Sequence, residues 1–184
     1  EQRLELERLL PHELMHILIY QITGVQTSNT PAWLSEGLAS LAEIYPNPDY
    51  SRSLDQAAQT GSLLPMAGLC KDFPTEASLA LQAYAQSASF VRFLSDQYGI
   101  ASLQTLLQKY TDGMDCESAV SVVYGSDLSK LESRWKQEVL GINVNALAMQ
   151  ELLPYLFIAA IILLPPLIVI SVYSRKKTII KIVD

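Results

Sequence analysis

The chain has 184 residues, 49% of them hydrophobic and 17% charged, with a formal net charge of −6. That composition is globular but rich in apolar residues, and the acidity argues against nucleic acid as a partner.

Residues 1–22 carry Leu4, Leu6, Leu9, Leu10, Leu14, Ile17 and Leu18 at helical intervals, with Glu and Arg between them. This predicts an amphipathic helix whose leucines face the core. Pro11 falls inside it and predicts a restart or a kink. The chain opens with Glu1, and no charged-then-apolar leader precedes Leu4, so it reads as the C-terminal part of a longer protein, entered inside a helix. Gly24 ends the segment. "TSNTP" predicts a loop with Thr30 as cap and Pro31 at the first helical position. The next helix, "AWLSEGLASLAEIY", stops before "PNPDY". Residues 46–76 are rich in Pro, Gly, Ser and Asp, which predicts mostly loop with one short helix near Leu54–Gln59. A long helix, Glu76 to Tyr98, is closed by Gly99, and "IASLQTLLQKY", "CESAVSVVY" and "DLSKLESRWKQEVL" predict three shorter ones. Few stretches alternate with period two, so the predicted fold class is mainly α. Cys70 and Cys116 could pair in an oxidising compartment, a matter that spacing leaves open.

From Leu152 to Tyr173 run 22 residues without a charge. As a helix this stretch is long enough to cross a hydrocarbon core of about 30 Å, with Pro165 and Pro166 as a tolerable kink. The tail beyond it holds Arg175, Lys176, Lys177 and Lys181 against Asp184 alone, whereas the remainder of the chain carries a formal −9. By the positive-inside rule the tail is cytoplasmic and residues 1–151 lie outside. The expected organisation is a helical domain over 1–145, a linker over 146–151, one transmembrane helix over 152–173 in the lipid bilayer, and a basic tail over 174–184.

The chemistry is concentrated in "HELMH". His12 and His16 are the only two histidines of the chain. At i and i+4 they project from one helix face and can reach one ion at about 2.0–2.1 Å. Glu13 lies about 100° round the helix, unable to join them as a ligand but able to hold a water on that ion. By chance this pattern should arise roughly once in a thousand such chains. A catalytic zinc needs a third protein ligand. No histidine remains, so a carboxylate must serve, and Glu36 stands 20 residues past His16 among Trp33, Leu34, Leu38 and Leu41.

"HELMH" followed by "PAWLSEGLASLAE" resembles the gluzincin metallopeptidases, the thermolysin-like and aminopeptidase-like clan, and most of all the peptidase MA-like domains of bacterial surface proteins. The stretch from "AYAQSASFVRFLSDQYG" to "LESRW" resembles their helical C-terminal half, and the likeness covers about residues 5–140. It implies the helical part of a zincin-type α+β metallopeptidase, with the family's small sheet lying upstream of residue 1. It also implies Zn2+ on His12, His16 and Glu36, Glu13 as general base, Glu43 orienting a ligand, and a peptide or protein as substrate. Aminopeptidase-like relatives steady the oxyanion with a tyrosine, and Tyr84 in "QAYAQS" is the candidate. The expected protein is a single-pass membrane zinc peptidase with its catalytic domain outside the cytoplasm. The alternative is an inactive surface module that keeps the fold for binding. An intramembrane protease is excluded, because "EQRLELER" precedes the motif and its helix cannot span.

Overall fold

The computed structural model describes residues 2–142 and 153–163. One compact unit ends at Ile142 and a second begins at Asn143. Among the described residues there is no strand.

The first unit is a stack of seven helices: α1 (Gln2–Thr23), α2 (Ala32–Ala42), α3 (Pro48–Thr60), α4 (Ala77–Tyr98), α5 (Ile100–Thr111), α6 (Cys116–Tyr124) and α7 (Leu128–Glu138). Short 3-10 turns lie at Gly24–Asn29 and Met66–Leu69. Its core forms around α4, where Phe90 meets Trp33 of α2 and Trp135 of α7 edge to face, at centroid separations of 5.4 and 5.8 Å. Both indole N–H groups are satisfied, Trp33 on the Cys116 sulfur at 3.4 Å and Trp135 on the Ser89 hydroxyl at 3.0 Å. Large aromatic area is therefore buried without a stranded donor.

Several expectations are corrected. α1 continues through Pro11 with no restart, and Pro11 has no N–H to offer the Glu7 carbonyl one turn back. Its leucines do not face this core: Leu6, Leu10, Leu14, Ile17 and Leu18 are exposed. The inward stripe is Arg8, His12, Met15, His16 and Ile19, because α2 packs on the histidine side of the helix. The short helix expected near Leu54–Gln59 is the longer, 13-residue α3, which starts six residues earlier at Pro48. Pro48 sits in its first turn, where no N–H is needed, Asn47 caps it by accepting the Asp49 N–H at 3.0 Å, and Gly61 closes it at φ +67°. The breakers were end signals. Pro31 occupies the cap position of α2, and the Thr30 hydroxyl makes no hydrogen bond there. α2 also ends earlier than expected, at Ala42, so Glu43 is the first residue outside it, with ψ 137°. Cys70 and Cys116 are bonded, with their Cα atoms 6.0 Å apart, and tie the second 3-10 turn to the start of α6.

One glycine decides how closely α2 lies on α4. A Cβ added at Gly37 would stand 2.7 Å from the Ser87 carbonyl oxygen and 2.8 Å from Val91 Cβ, and closer still to Val91 Cγ2. Two of these atoms belong to backbone and branch point and cannot swing aside. Gly37→Ala should therefore lower stability by about 1–3 kcal/mol, the usual cost of overpacking. It should also displace its neighbour Glu36. An unchanged melting temperature would mean that the two helices part freely.

The second unit is described only over residues 153–163, a helical stretch on which Leu153, Tyr155, Phe157 and Ile161 are exposed. Among the described residues no helix is long and apolar enough to cross a membrane. The remainder of the expected span Leu152–Tyr173, the linker 146–151 and the tail 174–184 lie outside the described residues.

Candidate metal centre

α1 and α2 bring three donors to one point. Glu36 Oε2 lies 3.5 Å from His12 Nε2 and 3.5 Å from His16 Nε2. The imidazoles meet edge to face with centroids 5.0 Å apart, one helical turn from each other along α1. Each ring is held from behind. His12 Nδ1–H donates to Glu43 Oε1 at 2.9 Å, and His16 Nδ1 hydrogen-bonds with the Ser35 hydroxyl at 3.2 Å. A ring whose Nδ1–H is engaged by an acceptor turns its Nε2 lone pair forward. Glu43 is itself paired with Arg8, whose Nη1 stands 3.3 Å from Oε2.

The electrostatics follow from this packing. Burial works against the Glu36 charge, yet the hydrogen bonds from His12 and His16 outweigh it and bring the carboxyl down to about 2. The His12 imidazole is pushed up, chiefly by its hydrogen bond to Glu36, against the opposing effect of burial and with Glu43 adding to the rise. Glu36 is thus a carboxylate at any ordinary pH.

Three donors about a tetrahedral zinc at about 2.0–2.1 Å stand roughly 3.4 Å from one another. The two N···O separations of 3.5 Å match that spacing, and all three donor atoms lie within 4.8 Å of one another. Two imidazoles with a carboxylate are a borderline donor set that suits zinc. The residues therefore fit the ion that the motif implies.

The chain matches the family model of the Peptidase MA superfamily over residues 6–141. It belongs to that superfamily. Its members are typically zinc-dependent, and the match runs from within α1 through the end of α7. No curated protein and no solved structure matches the chain.

In this Peptidase MA chain Glu13 is exposed, next to His12 on α1. Tyr84 of α4 joins it from across the site: both line a shallow pocket with Arg8, His12, Glu43 and Tyr50. The Tyr84 ring stands edge to face on Phe73, with centroids 4.9 Å apart, three residues after the bonded Cys70. Burial, then the negative charges of Glu36 and Glu13, push the Tyr84 phenol up from its ordinary value. Burial and the Glu43 charge push Tyr50 up to about 12. The site thus brings together all six residues singled out in the sequence. Sequence reasoning missed Ser35 and Arg8. Ser35 was legible only as the neighbour of Glu36, whereas Arg8 stands one turn before His12 on the same face, a spacing that could have flagged it.

Proposed function

We propose that this chain is the helical part of a membrane-anchored, zinc-dependent gluzincin peptidase. The observation that carries the reading is the convergence of two Nε2 atoms on one Glu36 oxygen at 3.5 Å, with the opposite nitrogens already engaged. An arrangement in which outer partners have fixed both rings is prepared for an ion rather than for packing.

His12, His16 and Glu36 would hold the zinc. When bound, zinc supplies Lewis-acid polarisation of a peptide carbonyl and acidifies water toward neutrality. Glu13 takes the proton of the attacking water as its oxygen bonds to the carbonyl carbon, then delivers that proton to the departing nitrogen as the C–N bond breaks. Its exposure leaves room for a substrate to reach it. Tyr84 donates its phenolic hydrogen to the developing oxyanion. The raised phenol keeps that hydrogen throughout the neutral range.

Tyr84→Phe tests that last role. It should lower kcat about 10²–10³-fold, the scale of losing one oxyanion donor, with zinc content unchanged. Near-full kcat would leave Tyr84 as packing against Phe73.

The formed Cys70–Cys116 bond supports a location on the oxidising side of a membrane. The uncharged run Leu152–Tyr173 and the basic residues after it support a single anchor with the tail inside. The deciding experiment is metal analysis of the full chain together with cleavage of a peptide library. One zinc per chain with chelator-sensitive cleavage is expected. Zinc without cleavage would favour the inactive module, and no zinc would overturn the reading.

A further inference from the structure

We propose that Arg8 is a positioning residue of this site, acting through Glu43 to aim the His12 imidazole; the inference rests on the zinc reading above. One carboxylate divides its two oxygens between two neighbours on α1. Oε1 accepts from His12 Nδ1 at 2.9 Å, and Oε2 meets Arg8 Nη1 at 3.3 Å. Arg8 and His12 are spaced i, i+4, so a single acceptor can reach both from the facing helix. The Glu43 side chain is 1% exposed and that of Arg8 14% exposed, which removes both from competition with bulk water.

The backbone does little to hold this carboxylate. Glu43 follows the last residue of α2 with φ −59° and ψ 137°, beyond the helix's own hydrogen bonds. Its direction is therefore set by what its oxygens touch. A buried carboxylate needs a compensating cation. A ligating imidazole is neutral, so His12 cannot supply that charge while it binds metal. Arg8 can, in every state of the site. His16 differs in kind. Its outer partner is the neutral Ser35 hydroxyl, carried within α2 itself, and needs no counter-charge.

A stapling role for Arg8, merely joining α1 to the end of α2, would move stability alone. Positioning moves the metal. Zinc affinity by competition with a chromophoric chelator, and the visible spectrum of the cobalt-substituted full chain, separate the two. Arg8→Met should weaken zinc binding about 10–100-fold, as expected for losing an outer partner, and should alter the cobalt spectrum. Glu43→Gln should do the same. The double variant should be no worse than Glu43→Gln alone, since Arg8 acts only through Glu43. Arg8→Lys keeps a cation and Arg8→Gln does not, so affinity should stay near wild type in the first and fall in the second, which carries the test should Arg8→Met fail to fold. Equal affinity in the Lys and Gln variants, or losses that multiply in the double variant, would overturn the proposal while leaving the zinc site standing. A wild-type chain that binds no zinc would overturn both.

Discussion

Glu36→Gln should abolish stable zinc binding while the helical fold survives. The amide is nearly isosteric with the carboxyl, so α2 can keep its place beside α1. The charge is what disappears. Glu36 Oε2 stands 3.5 Å from both Nε2 atoms, and the two imidazoles bring its carboxyl down to about 2 against the effect of burial. A neutral amide is a far poorer zinc ligand, and its NH2 brings two donors toward nitrogens that must present lone pairs. Losing an outer partner of a zinc ligand costs about 10–100-fold in affinity, and losing the ligand itself should exceed that range. The check is zinc stoichiometry after dialysis, with far-UV circular dichroism to confirm the helices. Wild-type stoichiometry and affinity in this variant would remove Glu36 from the ligand set.

Glu13→Gln should give the reverse separation, with metal retained and turnover lost. Glu13 lies on the same helix as both histidines but is exposed and is no member of the trio. Removing its charge disturbs no core packing and takes no donor from the ion. On the proposed mechanism it removes the group that takes the proton of the attacking water. General acid–base catalysis is worth about 10²–10⁴-fold, so kcat should fall by that factor with zinc content at the wild-type level. Comparable cleavage by the variant would assign the proton transfer elsewhere.

α4 was legible end to end because its signals are local. Glu76 caps the N-terminus by accepting the Ser78 and Leu79 N–H groups, and Gly99 at φ +80° closes the other end. α3 is longer than the short helix its sequence predicts, because Pro48 marks its start and Gly61 its end rather than breaking it. The leucines of α1 were assigned to the core because periodicity reports an apolar face and not what covers it. Leu6, Leu9, Leu10, Leu14 and Leu18 are exposed, and the histidine stripe takes the interior.

The candidate site divides along the same line. That His12 and His16 share a helix face and Glu13 does not follows from the residues alone, since 3.6 residues per turn leave no other arrangement. The sequence also named Glu36, because a third ligand was needed and few carboxylates sit in so apolar a setting. That Glu36 reaches both Nε2 atoms depends on helix packing, the close approach of α2 to α4 at Gly37 setting where Glu36 stands. Packing also decided that Glu43 serves from just beyond the helix end, that Ser35 backs His16, that Arg8 is drawn inward, and that Cys70 meets Cys116 across 46 residues. Contacts within a turn follow from backbone geometry, which the chain carries locally; contacts between helices follow from which side chains fill the space between them, and that is settled only when the helices pack.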